Sequence, residues 1–494
     1  MRRAAAILIL LMIAGCGRVV ETPASNSTVY STITFSDSTG TITFNDFTGT
    51  KEAMVIIACQ NNDLLSANLD FSYLANYISG GASPNRSFSA PPPAAEPGEN
   101  LPAFLHQKEL ELLEQHGPPQ HDQNQVAAMA VTVGATEEFY ALQYNSDEAA
   151  WEYAIVTAEV AAVGEHCYLY VEQDRIAISA ESIAEFVAEF DDNAYPKVRA
   201  YFGSEPNPGI DNDAKMTLLF YYLHHTLGDG IISGYFLAGN EYPRSTNAYS
   251  NEREMVYFNG ETANLRNVKC TLVHELQHLV NFNNKTIING TAEALWLNEG
   301  LSTYAEHVAG HGLPGAEYNM VYKVNSYLSS PEGNCLISMD YNLSDYGTVY
   351  LFTLYLAEQY GADAIRSLVT SSRAGVDNVE NATGATMTEI FNKWVAANYL
   401  DGLIAETTAN AGYFYPSIDL RATYNTDRGV DLILSGATYE AVGAYPNALA
   451  SKNLRVWAPS YILFSPPDDT SQLTVTISGE AGSAISGQTI YGYF

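Results

Sequence analysis

The chain has 494 residues, 47% hydrophobic and 16% charged, which is enough for two or three separately buried cores. Lys and Arg number 23 against 56 Asp and Glu, for a net charge of −33. That balance argues against a nucleic-acid partner and against attraction to an anionic lipid surface, and it suits a weakly adhesive protein outside the cytoplasm.

The first residues read as a targeting segment. Arg2 and Arg3 precede an apolar stretch, Ala4 to Ile13, that is too short to span a bilayer. It ends in Ile13-Ala14-Gly15-Cys16, which resembles the bacterial lipobox. The resemblance implies a lipoprotein signal peptide over 1–15, a lipid on Cys16 and a polar tether over 16–27. Gly17, rather than Asp, follows the Cys; in a two-membrane cell this resembles the signal for the outer membrane.

From Val29 to Cys59 apolar and polar residues alternate, as in Thr41-Ile42-Thr43-Phe44, with Gly and Asp turns between. Residues 79–98 are rich in Pro and Gly and read as an exposed insertion. A short helix over Pro102 to Gln115 stops at Gly117-Pro118-Pro119, and strand patterning resumes to Glu172. These features predict a β-rich N-terminal domain over 28–172. Helical spacing begins at Ala180 and runs to Phe202; strands are predicted at Met216 to Leu223 and Glu254 to Phe258, and helices then dominate to about Leu400. A central domain over 173–405 and a C-terminal β-domain over 406–494 complete an α+β chain. No second stretch is apolar and long enough to cross a membrane.

Four cysteines remain beyond Cys16. Cys59, Cys167, Cys270 and Cys335 allow three pairings if an exported protein oxidises them. Cys270–Cys335 is the preferred bridge because both lie in the central domain; the alternative is four buried thiols.

His274-Glu275-Leu276-Gln277-His278 is the HExxH pattern. On a helix, two His at i and i+4 project from one face and can close on one ion, with Glu275 beside them to reach a water. Val268, Leu272, Leu276 and Val280 form an apolar stripe on another face. Two helical His on a polar surface is the competing reading of the motif alone. A second helical stretch follows after Asn289-Gly290 and a Thr291 cap, reading Trp296-Leu297-Asn298-Glu299-Gly300. Catalytic zinc takes three protein ligands and keeps one open position, and Glu299 can be the third if the two helices form an antiparallel hairpin. Otherwise it is an ordinary solvated Glu.

HExxH followed by Asn-Glu resembles the gluzincin arrangement. Trp-Leu-Asn-Glu-Gly with Tyr304 looks like the aminopeptidase N family. His-Glu-Leu-Gln-His with Gly234-Tyr235-Phe236, Glu254-Met255-Val256-Tyr257 and Tyr346 to Phe352 is closer to the hyicolysin-like secreted metallopeptidases. The resemblance covers about residues 165–400. It implies a thermolysin-like fold, Zn2+ on His274, His278 and Glu299, and hydrolysis of peptide bonds in proteins or peptides with Glu275 as general base. One departure is visible. Thermolysin has an Asp four residues after its Glu ligand to orient a metal-binding His, and Thr303 stands at that position here.

An oxyanion needs a donor besides the metal. Tyr346 is the candidate and Tyr341 the next, with Tyr350 and Tyr355 as alternatives that simply pack. The strand around Met255 to Phe258 is expected to offer its edge to an extended peptide. His307 and His311 read as surface residues, His224-His225 as structural or rim residues, and Asp211-Asn212-Asp213 as a capped turn. The Gly-x-Met-x-x-Asn element that anchors a free amine in the aminopeptidase N family is not seen before His274, which favours an endopeptidase. Two other classes stay open: a lipid-anchored adhesin or binding protein on a peptidase-like fold, and a zinc hydrolase of a non-peptide bond.

Overall fold

From the N-terminus, strands β1 (Val29–Ile33), β2 (Phe35–Ser36), β3 (Thr39–Asn45), β4 (Glu52–Cys59) and β5 (Asn68–Asn76) precede helix α1 (Leu101–His116). Strands β6 (Thr136–Asn145), β7 (Ala150–Val163) and β8 (Cys167–Glu172) lead to helices α2 (Ala180–Glu189) and α3 (Tyr195–Phe202). Next come β9 (Met216–Tyr221), a small hairpin of β10 (Thr226–Leu227) and β11 (Gly230–Ile231), then β12 (Gly234–Phe236) and β13 (Met255–Asn259). The helical part holds α4 (Leu265–Phe282), α5 (Leu295–Glu306), α6 (Tyr318–Ser329), α7 (Leu343–Tyr360), α8 (Ala362–Thr370), α9 (Gly375–Thr383) and α10 (Met387–Leu400). The last strands are β14 (Thr423–Asn425), β15 (Asp431–Ile433), β16 (Glu440–Val442), β17 (Asn447–Ala448), β18 (Lys452–Arg455), β19 (Pro459–Phe464), β20 (Gln472–Gly479) and β21 (Ile485–Gly492).

This computed structural model describes residues 28–36, 38–45, 47, 51–60, 68–76, 100–120, 131–223, 226–227, 230–262, 265–443, 447–448, 452–466, 472–479 and 485–492. Cys16 with its signal and tether, the 79–98 insertion and His224-His225 lie outside the described residues. Among the described residues, no helix is long and apolar enough to cross a membrane.

Both ends of the chain meet in one β-sandwich. One sheet runs β1-β21-β4-β19-β16 and the other β17-β5-β20-β3-β2, so N- and C-terminal strands interleave. Strand β20 alternates buried and half-buried residues along its length. On the outward face of the β3–β20 pair, the hydroxyls of Thr41 and Thr476, and of Thr43 and Thr474, meet at 3.1 Å. Strand β4 lacks alternation because both its faces are covered. Ala53, Val55 and Ile57 face the sandwich core, while Met54, Ile56 and Ala58 face the core shared with the helices. From β19, Tyr461 donates to the Val395 carbonyl of α10 at 2.8 Å and fastens the sandwich to the helices.

The second large sheet has the order β12-β13-β9-β8-β7-β6, with β8, β9 and β13 parallel. It too is covered on both sides: Leu218 and Phe220 of β9 face α4, and Leu219 and Tyr221 face the opposite core with Leu101 of α1. The sheets therefore do not follow the expected boundaries at 172 and 405. Residues 136–172 join the central sheet, and the strands before residue 77 pair with those after 439. Alternation in a sequence shows that a strand exists and which face is buried; it carries no record of a partner 400 residues away.

Two further expectations are corrected. Strand β13 is interior, paired to β9 on one side and β12 on the other, so the sheet edge is the three-residue β12. A segment that short shows no periodicity. The Cys270–Cys335 bridge is not formed: the four cysteines are buried thiols. Burial pushes Cys335 up to about 11 and Cys270 upward as well, which keeps both protonated.

Candidate metal and catalytic site

Helix α4 owes its place to its apolar stripe. Val268, Leu272, Leu276 and Val280 are all buried in the core between the central sheet and the helices. His274 and His278 sit on another face, half-buried. The chain leaves α4 through a wide helical turn, Asn283–Ile288, and reverses at Gly290, whose φ of 66° favours glycine. Helix α5 then returns along α4. Its N-cap is Ala294 rather than Thr291. Gly300 brings α5 against α7, since a Cβ there would lie 2.5 Å from Thr353 Oγ1 and 3.2 Å from the Val349 carbonyl.

This hairpin brings Glu299 to the two histidines. Glu299 Oε2 is 3.2 Å from His274 Nε2, and Oε1 is 3.8 Å from His278 Nε2. One ligand atom from each of the three residues lies within 4.8 Å of the others, and among the described residues no other His, Cys, Asp and Glu group is so arranged. The remaining ring nitrogens face outward. His274 Nδ1 lies 3.0 Å from Glu306 Oε1, and His278 Nδ1 lies 3.1 Å from Asn298 Oδ1 and 3.0 Å from Ser302 Oγ. A carboxylate and an amide oxygen only accept, so both Nδ1 atoms must donate, and both Nε2 atoms are turned toward Glu299. Asn281 also donates to Asn298 Oδ1 at 2.8 Å and fixes that amide. Two imidazole Nε2 atoms and a carboxylate converging on one point fit a divalent metal such as zinc, which would take the place of the proton His274 Nε2 shares with Glu299.

Burial and charge act against each other here. Burial pulls His274 down, but hydrogen bonds to Glu299 and Glu306 outweigh it and raise the group to about 10. Burial dominates at His278 and lowers it to about 4, against the pull of Glu299. Glu299 stays below the ordinary carboxylate range in spite of burial, through His278 and His274. Glu275, 7% exposed, is pushed up to about 7 by burial, with the His274 charge and the Phe236 backbone N–H opposing. A carboxyl poised near neutrality can both take and return a proton.

A cleft of about 1400 Å³ contains this group. The edge strand β12 lines it, α1 contributes His106 and Glu109, and α6 and the start of α7 contribute Tyr322, Lys323 and Tyr346. The Tyr346 ring centroid is 6.5 Å from that of His274, and the side chain is half-buried. Tyr341, with φ 63°, also lines the cleft. Tyr350 and Tyr355 point elsewhere: Tyr350 Oη pairs with His307 Nδ1 at 2.8 Å, and Tyr355 donates to the Gly412 carbonyl at 2.9 Å.

Residues 240–397 match the Peptidase MA superfamily. That segment includes His274, Glu275, His278 and Glu299. The chain is also similar to the neutral metalloprotease ShpI of Staphylococcus hyicus, 30% identical over 195 residues. The aligned part is 36% of this chain and 42% of that protein, so the chain spans less than half the length of the curated relative it matches. The two matches support a metallopeptidase, with a metal implied.

Other sequence expectations fare unevenly. Asp211-Asn212-Asp213 is a turn, with Asp211 Oδ1 accepting from the Asp213 N–H at 2.9 Å and Asn212 at φ 58°. His307 and His311 are not simple surface residues. Both are half-buried; His307 meets Tyr350, and His311 pairs with Glu189 at 3.0 Å. Sequence reasoning missed Asn298, Ser302, Glu306, Lys323 and His106. Spacing alone could have found Glu306, which lies seven residues beyond Glu299 on the same helix. Thr303, in the place of the expected Asp, donates instead to the Glu299 carbonyl at 2.8 Å.

Proposed function

We propose that this chain is a zinc-dependent endopeptidase of gluzincin type, hyicolysin-like in its central segment and thermolysin-like in fold, held at a membrane outside the cytoplasm by a lipid on Cys16. The observation that carries the enzymatic reading is the outward tethering of both His Nδ1 atoms, which turns two Nε2 atoms and a buried carboxylate toward one point. His274, His278 and Glu299 would hold the ion. Zinc bound there supplies Lewis-acid polarisation of a carbonyl and a lowered water pKa.

The chain's own groups do the rest. The extended peptide pairs with β12, whose outer edge lines the cleft. Glu275, held by the Phe236 N–H, takes a proton from the attacking water and gives it to the leaving amine. Tyr346 donates to the developing oxyanion. The cleft continues on both sides of the histidines, from α1 to α6, which suits an internal cut. The membrane part of the reading rests on Ile13-Ala14-Gly15-Cys16 alone.

The test is casein hydrolysis by the full chain and by Glu275→Gln, each assayed for zinc. The reading predicts zinc in both proteins and hydrolysis only in the first, abolished by a chelator. Zinc without proteolysis in the wild type points to the adhesin or non-peptide alternatives, and absence of zinc defeats the proposal.

A further inference from the structure

Glu306 takes no part in the proton transfers above, yet it is a carboxylate only 4% exposed. It lies two turns of α5 beyond Glu299, so both side chains face α4. Its Oε1 is 3.0 Å from His274 Nδ1 and 3.6 Å from Lys323 Nζ. Lys323 comes from α6 and also stands 5.4 Å above the Tyr346 ring. The close approach of α6 and α7 at this level depends on Gly347, where a Cβ would lie 2.1 Å from the Lys323 carbonyl.

We propose that Glu306, backed by Lys323, is the positioning residue that orients His274 and sets the metal affinity of the site. The proposal rests on the zinc reading above. A neutral imidazole has a single N–H. Glu306 accepts it at Nδ1, fixes the ring plane and tautomer, and makes Nε2 a stronger donor to a cation. Thr303 gives no such service: its hydroxyl donates to the Glu299 carbonyl, and it carries no negative charge to strengthen Nε2 as a donor to a cation. The two histidines are thus held unequally. His274 leans on a carboxylate, and His278 on an amide oxygen and a hydroxyl.

Lys323 completes the unit. A buried carboxylate beside a metal ligand is costly without a counter-charge, and Lys323 supplies one. It holds Glu306 below the ordinary carboxylate range, against burial and together with His274. Glu317 is a second carboxylate acting on Lys323, so the lysine keeps its charge although half-buried. Because Lys323 also lies over Tyr346, its loss disturbs the metal side and the oxyanion side together.

Zinc affinity of the full-length protein, measured by competition with a chelator, tests this. Glu306→Gln keeps the shape and one acceptor but removes the charge; it should weaken zinc binding about 10- to 100-fold. Glu306→Asp should recover part of the loss. The visible spectrum of the cobalt-substituted protein should shift in Glu306→Gln, and a merely structural role would not move it. Ser302→Ala, on the other histidine, should weaken binding less. Should Glu306→Gln fail to fold, Lys323→Met carries the test, with a loss of zinc affinity expected. Zinc affinity within about threefold of wild type in a folded Glu306→Gln or Lys323→Met protein overturns the inference while leaving the zinc reading intact. A wild type that binds no zinc overturns both.

Discussion

The α4–α5 hairpin and the β-sandwich are built on opposite principles. In the hairpin, the groups that bond to the histidine pair (Asn298, Glu299, Ser302 and Glu306) all come from a short stretch of chain, from His274 to Glu306. In the sandwich, neighbouring strands come from opposite ends: Val29 faces Tyr491, and Thr41 faces Thr476. Chemistry that depends on spacing along one helix pair can be read from sequence, whereas a core closed by long-range pairing cannot. The contrast also predicts that the two regions fail separately. Damage to the hairpin should remove activity from a folded protein, and damage to the sandwich should remove stability from an active one.

The largest effect should come from Glu275→Gln. Hydrolysis falls by about 10³-fold, in the range of general-base catalysis, while zinc content and the thermal midpoint stay near wild type. In the sandwich, Ile462→Ala empties a fully buried position between the sheets. It should cost about 2–5 kcal/mol in denaturant unfolding and leave kcat per folded molecule unchanged. An activity loss in the folded fraction would mean that the two regions are coupled through β19 and α10. Tyr346→Phe sharpens the active-site side: if Tyr346 donates to the oxyanion, kcat drops about 10²-fold with zinc affinity and stability kept.

How much of this was legible? The HExxH helix follows from i, i+4 geometry and from an apolar stripe that the core absorbs, whereas Glu299 was legible only on the condition of a helical hairpin and through the resemblance carried by Asn298-Glu299. The outward partners were harder. Asn298 and Ser302 flank Glu299 but are ordinary helix residues until the fold places His278 between them. Lys323 arrives on α6, where nothing local announces it. The domain expectation failed for a similar reason. Strand β4 reads as a plain apolar run, and only its two-sided burial shows that the sandwich and the helical core share it. Helix α1 was expected, but its position on the cleft was not, because a marginal amphipathic stripe names no partner.

Helix α1 gives the smallest prediction and joins the two regions in sequence. Its Glu109 accepts from Thr286 Oγ1 at 2.9 Å, and burial pushes its carboxyl up from 4.5 to about 7. The sign follows directly: the folded state prefers the protonated form, so wild type loses stability as pH rises from about 4.5 to about 7. Glu109→Gln removes that loss. Its stability relative to wild type should improve by on the order of 1–2 kcal/mol between pH 5 and pH 8, measured by denaturant unfolding at each pH.

The proposed function requires His274, His278 and Glu299 together to hold a catalytic zinc ion. Zinc per chain in the purified full-length protein, compared between wild type and Glu299→Ala, tests it most directly. One zinc per wild-type chain and little or none in the folded variant is the predicted result. No zinc in the wild type, or equal zinc in both, would contradict it.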